Sequence, residues 1–213
     1  MQASHQPNLS ADLAKGVTAL GLDLDAAKQE QMLALINELL KWNRAYNLTA
    51  IKAPDAMLRK HLLDSLSIQP FLRGSRLLDV GTGAGFPGLP LAIVEPAREW
   101  ILLDSNAKKL RFIDHVAATL GIHNVQTAHA RIEQFSTTDA FDTIVCRAFS
   151  SLGDYVDRVS PLLDSDGVIL AMKGRQDYEE YSPLADNWRL ETHTLVVPLL
   201  AEERHIVELH RLT

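Results

Sequence analysis

Apolar positions along this chain change their spacing near residue 75. Before that point they recur every three or four residues, the period of an amphipathic helix. The pattern predicts a helix over 9–21 closed by Gly21, a second over 25–46 with Asp25 as its N-cap, and a third starting at Pro54. In the second, Met32, Ile36, Leu39 and Leu40 share one face, which Leu33, Leu35 and Trp42 widen. After residue 75, short apolar runs alternate with helical stretches. Strands are predicted at 76–80, 100–104, 124–128, 141–146 and 167–173, with helices ending near 95 and spanning about 106–120 before Gly121. That alternation implies βαβ units and a parallel sheet. The runs 189–197 and 203–209, separated by a short loop with Pro198, read as a hairpin that ends the sheet with an antiparallel strand. The expected fold is α/β, a Rossmann-like sheet of seven strands over 73–213, preceded by a helical cap over 1–72.

The first strand runs into the sequence LLDVGTGAGFPGLPLAI, residues 77–93. An apolar run ends at Asp79, glycines follow at 81, 83, 85 and 88, and a helical stretch comes next. A buried strand, a glycine turn and a helix N-terminus are how an α/β sheet holds a nucleotide-like cofactor. Gly81 and Gly83 are expected to bring backbone N–H groups close to the ligand. From Gly83 the string also fits GxGxxG, so a dinucleotide stays open on the motif alone. Asp79 supplies a sign: a carboxylate there repels a pyrophosphate and attracts a cation. S-adenosylmethionine (SAM), which carries an ammonium and a sulfonium, is the expected ligand.

Ligands in such sheets lie at the carboxyl ends of the strands. The second strand ends in Asp104, where an acid takes ribose hydroxyls; an N-cap role for the following helix is the competing reading. After the third strand, Ile132 is placed to pack on an adenine face and Glu133 to meet its amino group. Arg147 leaves the fourth strand at the ligand edge, where a cation requires an anionic partner, either a cofactor carboxylate, an RNA phosphate or a structural carboxylate. Lys173 and Arg175 end the fifth strand at the same rim. Cys146 reads as a strand-end core residue and His61 as a packing histidine. There is no Cys/His spacing for zinc, no GxSxG elbow and no Walker lysine, so no metal is expected.

Composition narrows the class. The chain of 213 residues is 46% hydrophobic and 23% charged, ordinary for a water-soluble protein, and no apolar run reaches membrane-spanning length. One cysteine excludes an internal disulfide, and the N-terminus lacks the apolar core of a signal peptide, which favours the cytoplasm. The formal net charge of −6 argues against indiscriminate nucleic-acid binding. Yet residues 41–61 carry Lys41, Arg44, Lys52, Arg59 and Lys60 against the single acid Asp55. This basic segment, together with Lys173 and Arg175, is a candidate phosphate track.

The blocks KWNRAYNLTAI (41–51), RKHLLDSLSI (59–68), the glycine motif, LLDSNAKKLRFI (102–113), CRAFSSL (146–152), AMKG (171–174) and ERHIVEL (203–209) together resemble the RsmG family of bacterial small-subunit ribosomal RNA methyltransferases, also called glucose-inhibited division protein B. Phe86, Cys146 and Met172 depart from the family's common residues without changing a charge. The resemblance implies a class I SAM-dependent enzyme that methylates ring nitrogen seven of guanine 527 in 16S rRNA. It also implies SAM contacts at Gly81, Phe86, Ile132, Glu133 and Arg147. The implied partner is 16S rRNA or the small ribosomal subunit, with no membrane and a monomeric protein as the default. Phe149, and less strongly Tyr46, are expected to stack on the target base. A non-catalytic ribosome assembly factor and an NAD-dependent oxidoreductase remain the alternatives.

Overall fold

The computed structural model describes residues 8–147, 151–174 and 187–212. Helices α1 (Leu9–Ala19) and α2 (Ala26–Tyr46) open the chain. Asp25 caps α2 by accepting the Lys28 N–H at 2.8 Å, and Asn47 closes it in the left-handed conformation. The third predicted helix is α3 (Pro54–Met57), a π-helical stretch Leu58–Leu63, and α4 (Asp64–Leu66). The wider turn is visible where the Asp64 N–H reaches back to the Arg59 carbonyl. No residue pattern announced this insertion.

The seven strands are β1 (Arg76–Val80), β2 (Glu99–Asp104), β3 (Val125–His129), β4 (Phe141–Cys146), β5 (Leu163–Lys173), β6 (Trp188–Leu195) and β7 (Arg204–Arg211), in the order β3-β2-β1-β4-β5-β7-β6. β1 to β5 pair in parallel, and β7 runs antiparallel to both β5 and β6. Helices α5 (Gly88–Val94), α6 (Ala107–Leu120) and α7 (Leu152–Val159) fill the connections. β5 starts four residues before the predicted position. Its first residues pair Leu163 with Phe141 and then shift register, so Asp164 and the exposed Ser165 and Asp166 belong to an irregular strand.

Alternation along each strand feeds two apolar clusters, one per face. Leu77, Val145, Leu170 and Ile206 face the cap and merge with Leu13, Leu35, Leu39 and Leu62. Leu78, Ile144, Ile169 and Val207 face α7. One continuous core therefore crosses the boundary expected at residue 72. Among the described residues no helix is long and apolar enough to cross a membrane.

Candidate active site

The strand order reverses between β1 and β4, and the glycine turn leaves β1 at that point. Gly81, at φ +69°, and Gly83, at φ +64°, adopt a backbone that L side chains rarely take. A Cβ on Gly81 would meet nothing within 4 Å, because the residue borders two cavities. Gly88 is required for a different reason. A Cβ there would lie 2.2 Å from Leu102 Cδ2, blocking the approach of α5 to the sheet.

Six of the turn's backbone donors are spent internally. Gly81 and Thr82 N–H donate to the Leu103 carbonyl, Gly85 and Phe86 N–H to the Thr82 carbonyl. Gly83 N–H donates to Asp104 Oδ2 at 2.9 Å and Gly88 N–H to Asp79 Oδ2 at 2.9 Å. These six groups have nothing left for a pyrophosphate, which disfavours a dinucleotide and fits a cationic ligand. Two of the six go to strand-end carboxylates and four to the Leu103 and Thr82 carbonyls, so the loop is closed on itself and on β2.

Asp79 is 1% exposed and also accepts the Thr82 hydroxyl at 2.7 Å. Burial pushes its carboxyl up to about 6, against the pull of those two hydrogen bonds and of Arg147. It sits behind the turn and lines neither cavity that borders Gly81. Asp104 accepts the N–H groups of both Gly83 and Asn106, so it joins the two strand ends. The N-cap of α6 is Asn106, which accepts from Lys108.

On one side of Gly81 a cavity of about 350 Å³ is bordered by Asp104, Ala130, Ile132 and Glu133. Glu133 is paired with Arg158 across this rim. On the other side a cavity of about 480 Å³ is lined by Gly83, Arg147, Lys173, His61, Asp64 and Arg204. The structure thus gathers Gly81, Gly83, Asp104, Ile132, Glu133, Arg147 and Lys173 around one turn. The Phe86 ring is 1% exposed and supports the cleft from behind, stacked on His61 at 4.8 Å and under Arg147 at 5.8 Å. Phe149 and Arg175 lie outside the described residues.

Asp64 and Arg204 carried no role in the sequence reading, although each stands in a matching block. Asp64 is 5% exposed and accepts from Arg204 Nε at 3.0 Å, with Arg147 Nη1 at 4.0 Å. Burial raises the Asp64 carboxyl while the two guanidinium groups lower it, and burial likewise depresses Arg147. A charged residue inside the apolar run Leu62–Leu66 was the available signal. The cap also contributes His61, whose Nε2 lies 3.0 Å from Thr49 Oγ1. Thr49 is held in turn by Asn43, which accepts its N–H and donates to its carbonyl. Burial, then Arg147, holds the imidazole down to about 4, so His61 is neutral at physiological pH. Cys146, 1% exposed with its thiol pushed up to about 12 by burial, fits a core role.

Within the basic segment, Arg59 pairs with Asp55 and Lys60 with Glu202. Lys41 lies 3.5 Å from Glu38 and is 70% exposed. Arg44 and Lys52 make no ion pair among the described residues and border a separate cavity of about 520 Å³ with Asn43 and Asn47. Tyr46, 49% exposed, stacks near Trp42 at 5.3 Å and does not line the glycine cleft.

Solved structures share the sheet. TrmN from Thermus thermophilus covers 70% of this chain, over 47% of its own length, at 19% identity and a TM-score of 0.56. A SAM dependent methyltransferase from Aquifex aeolicus covers 72%, over 92% of its own length, at 16% identity and a TM-score of 0.55. At these identities the likeness establishes the fold. Sequence relatives go further. "Ribosomal RNA small subunit methyltransferase G" of Methylococcus capsulatus is 46% identical over 92% of this chain and 96% of its own length, and that of Chromohalobacter salexigens is 48% identical over 96% and 99%. A family model described as "GidB: rRNA small subunit methyltransferase G" matches residues 28–207. The chain belongs to the GidB family, that of rRNA small subunit methyltransferase G.

Proposed function

We propose that this protein transfers the methyl group of SAM to ring nitrogen seven of guanine 527 in 16S rRNA. The observation that carries the reading is the near-complete coverage by rRNA small subunit methyltransferase G relatives, whose match includes the cap as well as the sheet. The site fits the donor: the turn offers no free N–H among six to an anion, while Asp79 and Asp104 give it a negative field.

When bound, the donor supplies an electrophilic methyl on a sulfonium. Asp104 retains lone pairs for ribose hydroxyls, Ile132 packs on the adenine, and Glu133 meets its amino group. Arg147 faces the donor's carboxylate or an RNA phosphate. Guanine N7 is a bare acceptor with an in-plane lone pair. It attacks without losing a proton, so no general base is required and the neutral His61 need not serve as one. What the protein contributes is alignment, which is worth up to roughly 7–11 kcal/mol when near-attack geometry is held. The target base must be unpaired or flipped to reach the cleft. Arg44, Lys52, Lys41 and Lys173 are placed to meet phosphates on the way in.

The test is incubation of the protein and SAM with small subunits, and separately with free 16S rRNA, from cells lacking the modification. Mass spectrometry should find 7-methylguanosine at position 527. Failure in both substrates sinks the reading. An assembly factor without catalysis would instead keep its biological activity in the Arg147→Ala variant.

A further inference from the structure

The hairpin β6–β7 sets a second group of chemistry-bearing side chains on the face of the sheet that packs against the cap. Glu191 and Glu208 are directly opposite each other in the antiparallel register. His193 and His210 follow two residues on along their respective strands, so all four share that face. Two facing carboxylates repel each other. Glu208 is 5% exposed, which makes the repulsion more costly.

The imidazoles converge on the buried acid. His193 Nε2 lies 3.1 Å from Glu208 Oε2 and 3.9 Å from Glu191 Oε2. One donor atom from each of Glu191, His193 and Glu208 falls within 4.8 Å of the other two. Tetrahedral Zn²⁺, with bonds of about 2.0–2.2 Å, spaces its ligand atoms about 3.3 Å apart, between the two observed distances. His210 Nε2 holds the other oxygen, Glu208 Oε1, at 3.0 Å, and Arg73 lies 3.9 Å from the same atom. The Phe71 ring, 5.0 Å from that of His193, fixes the imidazole from the side. Glu191 and His193 are 46% and 36% exposed, so an ion has a path in from solvent.

We propose that Glu191, His193 and Glu208 bind a divalent transition cation of the Zn²⁺ type, with His210 orienting Glu208 from outside the ligand set. Mixed imidazole and carboxylate donors select Zn²⁺, Ni²⁺ or Cu²⁺ over Mg²⁺ or Ca²⁺. The ion neutralises the facing acids and staples β6 to β7. The opposite end of β7 carries Arg204 to the cleft, so the staple braces the site from behind without touching substrate.

Calorimetric titration of chelator-treated full-length protein with ZnCl₂, and in parallel with MgCl₂, tests this. One equivalent of Zn²⁺ should bind with micromolar affinity, and Mg²⁺ should not compete. His193→Ala at a half-buried position and Glu191→Gln at an exposed one should each weaken Zn²⁺ binding at least about 10-fold, and His210→Asn by about 10-fold. Co²⁺ should give a visible d–d band with the parent protein and none with His193→Ala. Circular dichroism melts confirm that the variants fold. The proposal is overturned if Zn²⁺ binds undetectably, if Mg²⁺ binds equally well, or if the His193 and Glu191 variants both titrate like the parent. Those results leave an ion-pair network alone. Methyl transfer is read separately, so failure here leaves the methyltransferase reading intact.

Discussion

The two sides of Gly81 are built by different means. The side proposed to hold the donor is made of backbone and two strand-end acids, all drawn from residues at the ends of β1, β2 and β3. The side proposed to meet the acceptor is lined by long cationic side chains, Arg147, Arg204 and Lys173, together with Asp64 and His61 from the cap. The distant structural neighbours, which cover about 70% of the chain, share the sheet. The family match runs over residues 28–207, most of the cap included. The contrast teaches that one wall of the cleft is closed by the sheet alone, whereas the other joins cations from the ends of β4, β5 and β7 to Asp64 and His61 of the cap.

The hardest test of that division is Arg147→Ala. It should lower kcat/KM for methyl transfer to small subunits by roughly 10²–10³-fold, the scale for removing one preorganised electrostatic group. If calorimetry shows that SAM affinity falls by the same factor, Arg147 belongs to the donor side and the division moves. Asp79→Asn probes the other side and separates charge from architecture. The amide oxygen can still accept from Thr82 and Gly88, so the turn should survive, while SAM affinity should fall about 10-fold, the scale of a charge-assisted contact.

Stability against pH sharpens the comparison further. The native Asp79 holds its proton more tightly than the unfolded chain does, so this group withdraws stability as pH rises from about 4 to about 6. The full effect, about 3 kcal/mol, is present at pH 7. His61 acts in the opposite sense. The native imidazole refuses a proton that the unfolded chain takes below about 6.5, so stability is lost as pH falls towards 4, again by up to about 3 kcal/mol. The two slopes largely cancel in the parent. Chemical denaturation from pH 4 to 7 should therefore show Asp79→Asn losing stability on acidification and His61→Gln gaining it. Parallel curves for all three proteins would refute the assignment. The smallest effect is expected from Arg44→Ala with Lys52→Ala. Subunit affinity should drop a few-fold and its salt dependence should become shallower, with SAM binding unchanged.

The sequence made the donor side legible because its determinants are local. Asp79, the glycines and Asp104 stand at fixed offsets on elements whose periodicity is plain, and β1 and β4 fall where predicted. The internal acceptors of the turn could not be read from spacing: only coordinates show that Asp104 takes the Gly83 N–H and the Leu103 carbonyl those of Gly81 and Thr82. The acceptor side was less legible because it depends on long-range register. Asp64 meets Arg204 across 140 residues, and no local pattern marks that partnership. The π-helical stretch that carries His61 left no trace in the residue spacing. The cluster on β6 and β7 was missed for the same reason: Glu191 and Glu208 meet only once strand pairing is known.

The pairing of Asp64 with Arg204 also makes the larger cavity a closure between the two ends of the chain. Its wall is complete only when the last strand has docked against the N-terminal helices, so loosening either end opens the same cleft.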